Sequence, residues 1–334
     1  MLMSQPSVNA LRRDNQDATI DFLGRPGPMQ VFASNKGLSR LIPFPSSPKN
    51  IANSFKVLAR LAELRLRRYD ELYLFQPILN KESCRRLGLL VKIINAGKSI
   101  GRKNCFGSDF VNLAVPENAD LHEVERMMSV AKKGLCVSVA ETDFCLPFAV
   151  PNLAETGKIA HIPYAVLSPG GTKKFRRWPA ENFIELSHRL TVSGLDTVFV
   201  GDKSERDVFP GKDEGFPLRA QNLIGRTDLH GLCRLIKAAR LVIANDSGTM
   251  HLANALDVPV VGIFGSGDAV RTGPYRRGKA RIVDSSPMAC KPCYDAICDS
   301  MLCMKSISVD SVWNTAKELL VNHIYRDEDE RTHY

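Results

Sequence analysis

Asp246, Ser247, Gly248 and Thr249 form the stretch of this sequence best suited to chemistry, with His251 a few positions on. They follow the β-branched run Leu241-Val242-Ile243 and precede a helix-length segment. A second apolar run, Val258 to Phe264, then ends at Gly265-Ser266-Gly267. Strand, tight polar turn, helix and strand make an α/β unit with two loops at its carboxyl edge. Such an edge holds anions, because a helix N-terminus presents unpaired N–H groups and the positive end of its dipole. Small side chains at Ser247, Gly248 and Thr249 let a phosphate come close to the backbone. The same residues also fit an ordinary Asx-capped turn in a buried α/β unit.

Two other stretches carry candidate chemistry. The loop Pro169-Gly170-Gly171-Thr172-Lys173-Lys174-Phe175-Arg176-Arg177-Trp178-Pro179 combines glycines with cations, and Pro179 suits the first turn of a following helix. Cys290, Cys293, Cys298 and Cys303 invite a zinc or iron–sulfur reading, since four thiolates suit either. Their spacing lacks the paired CxxC…CxxC form, so a reduced loop tied by packing is the expectation and no metal is expected.

The elements that position these residues read as two successive α/β domains. In the first, the spacing predicts a helix over Met1 to Arg13, a short strand over Ala18 to Phe22, and a loop over Gly24 to Pro28. A helix follows from Ile51 to Arg68, with Phe55, Leu58, Ala59, Ala62 and Leu66 recurring near 3.6 residues and Arg65, Arg67 and Arg68 on the exposed face. Glu71 to Phe75 reads as a strand, Lys81 to Leu89 as a helix, Val91 to Asn95 as a short strand, Ile100-Gly101-Arg102 as a sheet edge, and Glu117 to Lys133 as a helix. Leu146 to Ile162 is the expected passage between domains. The second domain opens with the strand Ala165 to Ser168 and ends in a helix from Val309 to His323, followed by a frayed polar tail from Arg326.

The chain has 334 residues, 44% hydrophobic and 24% charged, enough for two domains with cores of their own. Its apolar runs are far shorter than the ~20 residues of a membrane span, and no leader-like block is evident; a cytosolic protein is expected. Nine cysteines are an odd count for a disulfide framework. The formal charge of +9 points to anionic partners: nucleic acid, a nucleotide or an anionic membrane surface. No nucleic-acid motif accompanies the dispersed cations, which disfavours that partner. A Rossmann-type dehydrogenase is disfavoured because no GxGxxG follows an early strand.

Asp246-Ser247-Gly248 with His251, Pro259 and Phe264-Gly265 resembles the donor-site motif of the lipopolysaccharide heptosyltransferases, glycosyltransferase family 9. Gly170 to Pro179, Gly201 with Glu205, Asn222-Leu223-Ile224-Gly225, Thr272-Gly273-Pro274-Tyr275 and Cys290 to Met304 are similar to further family segments. Tyr69-Asp70 after an Arg-rich helix is a weaker likeness. The resemblance implies a GT-B fold, two Rossmann-like domains facing across a cleft. Residues 1–150 would form the acceptor-side domain and 151–308 the nucleotide-sugar domain, with helix 309–325 packing back toward the first. It implies an inverting transfer of heptose from ADP-heptose to the Kdo or heptose of the inner core. The alternatives are another nucleotide-sugar donor or a catalytically impaired nucleotide-binding homologue. The partners implied are the nucleotide sugar and a lipid-linked core oligosaccharide, with peripheral contact at the cytoplasmic face of the inner membrane, although no amphipathic anchor stands out.

Residue by residue, the resemblance assigns the donor pyrophosphate to backbone N–H groups at Ser247, Gly248 and Thr249, with Thr172 and Arg176 closing over it. The family more often has lysine at the Arg176 place. Asp246 would serve sugar hydroxyls or the turn rather than phosphate, which it would repel. Glu205 would reach the ribose or adenine edge, and His251 would donate to a phosphate oxygen or pin its helix. Trp178 is expected to pack beneath its loop. Acceptor residues stay unassigned; Arg12, Arg13, Lys98, Arg102 and Lys103 are the cations considered for phosphate or carboxylate groups of the acceptor, and a solvated surface charge is the preferred reading of each. The family's catalytic aspartate lies in a Gly-Asp turn whose match point falls before Met1, so no residue here takes that role. An incomplete form or an inactive member is the corresponding expectation.

Overall fold

The computed structural model describes residues 1–44, 51–78, 80–103, 106, 109–133, 139–150, 163–208, 217–285, 287–293 and 298–331. The chain divides into two compact units, Met1–Phe148 and Ala149–Tyr334. Among the described residues no helix is long and apolar enough to cross a membrane.

The first unit runs α1 (Gln5–Asp14), β1 (Asp21–Gly24), α2 (Pro26–Met29), β2 (Arg40–Pro43), α3 (Ile51–Leu66), β3 (Glu71–Leu74), α4 (Lys81–Ile94), β4 (Lys98–Arg102), β5 (Leu113–Val115) and α5 (Glu123–Ala131). Its strands form two parallel sheets, β1-β2 and β3-β4-β5. Side chains tie the ends of β1 and α3 together: Arg67 pairs with Asp21 at 3.3 Å, and the Tyr69 hydroxyl donates to the same carboxylate at 2.7 Å.

Four local expectations change here. The Gly24–Pro28 loop contains the helical turn α2, because Pro26 at a first-turn position has its φ already set and no N–H to lose. Lys81 to Ile94 is one helix rather than helix plus strand. Cys84, Gly88, Val91 and Ile94 keep a helical burial period through the supposed strand, and Asn95 ends it at φ 51°. Ile100 to Arg102 lies in a strand paired on both sides, not at an edge. Helix α5 starts later than expected, at Glu123, because His122 and Glu125 form a capping box there.

The largest difference is the orientation of α3. The stripe expected to be buried faces outward: Phe55, Leu58 and Leu66 are 69%, 61% and 80% exposed. The inward face instead carries Leu64, 2% exposed, in a cluster with Ile42 and Ile94. Both stripes have helical spacing, so periodicity alone does not choose between them.

The second unit contains β6 (Tyr164–Ser168), α6 (Ala180–Val192), β7 (Asp196–Phe199), β8 (Ala220–Asn222), α7 (Leu229–Ala238), β9 (Leu241–Asn245), α8 (Gly248–Ala255), β10 (Val260–Phe264), α9 (Ala269–Thr272), β11 (Ala280–Asp284), α10 (Leu302–Lys305) and α11 (Val309–Arg331). Its strands form one parallel sheet in the order β11-β10-β9-β6-β7-β8. Strands β6, β9 and β10 are buried along their whole length, as a sheet covered on both faces requires. The chain runs outward from β6 through β7 and β8, then returns to lay β9 on the other side of β6. That reversal makes the carboxyl ends of β6 and β9 a topological switch point, where the loops diverge and leave a crevice.

Helix α11 places Val312, Ala316 and Leu319 in the core of this same unit, with Trp178, Phe183 and Leu186. It continues to Arg331, so the expected frayed tail from Arg326 is helical to that residue.

The two faces of α3 give a direct test. Leu64→Ala should lower stability by about 2–4 kcal/mol in chemical denaturation, whereas Leu58→Ala should change it by less than about 0.5 kcal/mol. Equal losses would contradict the orientation.

Candidate functional site

The site begins with Asn245, the last residue of β9, which is 1% exposed. The register sets Ser168 of β6 against Ala244, so Asn245 emerges beside the loop that follows β6. Its amide nitrogen donates to the carbonyls of Pro169 and Gly170 at 2.8 and 3.1 Å, and its carbonyl oxygen accepts from the Trp178 N–H at 3.1 Å. A single buried carboxamide thus holds both ends of the loop 169–178. The orientation of the amide is fixed by its partners, two acceptors on one side and a donor on the other.

Trp178 anchors the same loop from below. It is 1% exposed, its indole N–H donates to the Ile307 carbonyl at 2.8 Å, and its ring meets Phe183 edge-on at 5.0 Å. It packs beneath the loop, as its sequence context suggests.

Glu205 braces the loop's first turn. Its two oxygens accept from the backbone N–H groups of Gly171, at 2.6 Å, and Asp202, at 2.8 Å. A Cβ at Gly170 would displace this carboxylate from its two N–H partners, and Gly171 adopts φ +149°, a conformation that favours glycine. Glu205, expected at a ribose or adenine edge, here ties the β6 and β7 loops together. Thr172 is exposed at the loop's tip.

The loop carries Arg176 to Asp246. The guanidinium donates to the Asp246 carboxylate at 2.8 Å, and a longer contact of 3.5 Å reaches the Cys293 carbonyl. Burial pushes the Asp246 carboxyl above its ordinary range, while the nearby cations Arg176 and Lys173 pull it back down. Asp246 therefore orients the arginine, a role that sequence reasoning did not assign.

Helix α8 starts beside this pair. Ser247 is its N-cap, in extended conformation, yet its side chain makes no capping hydrogen bond, and the space beside the Gly248 Cα is open. Thr249 turns inward, where its hydroxyl accepts from Ser168 at 3.1 Å. His251 lies one turn in and is half-buried. Asn254 clamps the backbone of Arg276 with both ends of its amide, at 2.7 and 2.9 Å, fixing the far end of α8.

Among the described residues, three buried polar atoms near this point find no hydrogen-bond partner: Ser247 Oγ, Ser266 Oγ and Arg176 Nε. They belong to one connected group, since Arg176 touches Asp246 and Cys293, and the Cys293 N–H donates to the Ser266 carbonyl at 2.8 Å. Buried polar groups without partners are uncommon and call for an explanation. A helix N-terminus, an oriented arginine and two hydroxyls around one point can hold an anion with several oxygens.

Among the described residues, Cys290, Cys293, Cys298 and Cys303 are free thiols, and no group of three metal-ligating side chains occurs. Burial raises the Cys303 thiol, whereas the Ser300 hydroxyl lowers the half-buried Cys298.

The cations considered for an acceptor divide by their partners. Arg12 is committed to the carbonyls of Gly37, Gln16 and Ala18. Arg102 is a buried ion pair with Glu123 at 2.7 Å, not a surface charge. Arg13 makes a loose pair with Asp143 at 3.8 Å, while Lys98 and Lys103 are exposed.

The profile of the family described as glycosyltransferase family 9 (heptosyltransferase) matches residues 62–303. The chain is similar to lipooligosaccharide heptosyltransferase 2 of Campylobacter jejuni, 28% identical over 213 residues, covering 60% of this chain and 65% of that protein, less than two thirds of its length. It resembles the solved structure of E. coli ADP-heptose lps heptosyltransferase II at a TM-score of 0.70 and 20% identity, covering 97% and 96% of the two chains. It also resembles the iron-containing dodecameric glycosyltransferase TibC from enterotoxigenic E. coli at a TM-score of 0.59 and 13% identity, covering 97% and 73%. These likenesses show an α/β chain of the GT-B fold.

Two measurements check the site. Asn245→Asp sets a carboxylate against the Pro169 and Gly170 carbonyls and should cost about 2–4 kcal/mol in urea unfolding; a neutral result would contradict the clamp. The raised Asp246 carboxyl makes the folded chain bind this proton more tightly than the unfolded chain does. Its contribution to stability therefore falls as pH rises from the ordinary aspartate range through the folded value. Asp246→Asn should remove that slope from the pH dependence of the unfolding midpoint; an unchanged slope contradicts the assignment.

Proposed function

The chain belongs to glycosyltransferase family 9, the heptosyltransferases, and from that membership we propose that it transfers heptose from ADP-heptose to the Kdo or heptose of a lipopolysaccharide inner core, inverting the anomeric carbon. The observation that carries this reading is the open N-terminus of α8 beside the Asp246-oriented Arg176, with three unpartnered buried polar atoms around it. The second unit is proposed to hold the donor and the first to meet the acceptor.

In a single displacement, the acceptor hydroxyl attacks the anomeric carbon as the bond to ADP breaks. The departing diphosphate gains negative charge. Backbone N–H groups at Gly248 and Thr249, fixed by α8, are aimed where that charge develops, and Arg176 adds a guanidinium. Charge interactions beside the Asp246 carboxylate, 11% exposed, are stronger than in water. Ser247 and Ser266 hydroxyls supply further donors, and Thr172 and His251 complete the proposed donor set. Asp246 keeps Arg176 pointed at the phosphate and offers its second oxygen toward the sugar. Glu205 acts by holding the loop that presents Arg176.

Removing the acceptor proton needs a base outside this donor set. Asp246 is held by Arg176, and both Glu205 oxygens receive backbone N–H groups. No step requires a metal or cofactor. The acceptor's lipid anchor makes the proposed place of work the cytoplasmic membrane surface.

The test is calorimetric titration with ADP-heptose, UDP-hexose and GDP-hexose. ADP-heptose should bind preferentially, Arg176→Ala should weaken it about 10–100-fold, the loss of a charge-assisted phosphate contact, and Ser247→Trp should abolish it. Unchanged affinity in both variants, or preference for another donor, would overturn the proposal. Elemental analysis of protein purified without chelator should find only substoichiometric iron and zinc; one ion per chain would contradict the metal-free reading.

A further inference from the structure

Helix α3 exposes an apolar stripe that nothing in the donor site uses. At 100° per residue, Phe55, Leu58, Ala59, Ala62 and Leu66 fall within an arc of about 100°, opposite the buried Leu64. All five are exposed, and the three large ones keep well over half of their surface in solvent. Exposed Lys56 borders the arc on one side and exposed Arg65 on the other, with exposed Arg68 just beyond the helix end. The only acidic residue of the helix, Glu63, is engaged by Arg60 at 2.5 Å and by Arg40 and Arg67 at 3.6 Å. Glu63 lies on the Lys56 edge but is outnumbered there by its three arginines, and among the described residues Lys56, Arg65 and Arg68 make no ion pair, so both edges are positive.

We propose that this face of α3 docks on an anionic lipid surface, with Phe55, Leu58 and Leu66 entering the headgroup boundary and Lys56, Arg65 and Arg68 meeting lipid phosphates. The proposal deepens the reading of a lipid-linked acceptor, but its own support is the helix. Charge complementarity selects the occupant. A face-to-face antiparallel pairing with a second copy would set Lys56 on the same edge as its own counterpart and Arg65 with its own, and a parallel pairing would set Lys56 and Arg65 along one edge. Either arrangement buries the apolar stripe only by crowding cations. An anionic bilayer accepts both the apolar side chains and the bordering cations at once.

The experiment is flotation of the full chain with vesicles of phosphatidylcholine alone and of phosphatidylcholine mixed with phosphatidylglycerol, without nucleotide. The wild type should partition at least about tenfold more strongly onto the anionic vesicles. Phe55→Ser with Leu66→Ser, and separately Lys56→Glu with Arg65→Glu, should each reduce that binding about tenfold or more. Both variants should keep wild-type circular dichroism and ADP affinity, so a failure of lipid binding leaves the donor reading standing and a failure of ADP binding leaves the lipid result readable. Equal binding to both vesicle types, no binding to either, or variants that bind like wild type would overturn the proposal. Sedimentation velocity without lipid adds a further decisive outcome: a wild-type dimer dispersed by the serine pair would assign the stripe to a second copy and overturn it.

Discussion

A buried carboxamide must satisfy its donors and its acceptor, and at Asn245 that requirement organises the carboxyl edge of the second unit's sheet. Its three hydrogen bonds reach two carbonyls at the start of the β6 loop and one N–H at its end. Water cannot substitute at a position with 1% exposure, so releasing the loop would strand polar groups in the core at a cost of about 1–3 kcal/mol each. The loop is therefore held at both ends, and the Arg176 it carries meets Asp246 in a defined place. The proposed anion site depends on this tether, because it fixes the loop that carries Arg176.

Around the tether, other side chains act on backbone rather than on substrate. Glu205 receives two N–H groups from different loops, and Asn254 grips one residue of the turn after α9. Trp178 hangs from the Ile307 carbonyl beneath them. Each is a polar group with its bonding capacity spent on positioning. What they leave open is the start of α8, a set of fixed dipoles that need no reorganisation when charge arrives.

Much of this was legible from residue type and spacing. The β9–turn–α8–β10 unit, the glycine-and-cation loop after β6 and the packing role of Trp178 follow from hydrophobic runs, turn chemistry and small residues. The partners of Asp246 and Glu205 were not legible, because ion pairs and backbone clamps between residues 70 and 34 positions apart depend on strand order. Asn245 carried a signal, an amide at the end of a fully apolar strand, which demands partners once burial is granted. In the first unit, α3 shows the limit most clearly. Two apolar stripes share one period, and only the neighbours Ile42 and Ile94 decide which is inside. Likewise, the apolar tail of α4 reads as a strand until Asn95 is seen to end the helix.

The proposed donor site lies at the switch point between β6 and β9, where a nucleotide diphosphate would bind. The most direct measurement is a crystal structure of the full chain soaked with ADP. The pyrophosphate should lie against the Gly248 and Thr249 N–H groups, with Arg176 on a phosphate oxygen and still paired with Asp246. ADP bound elsewhere, or an α8 N-terminus that stays empty at saturating ADP, would contradict it.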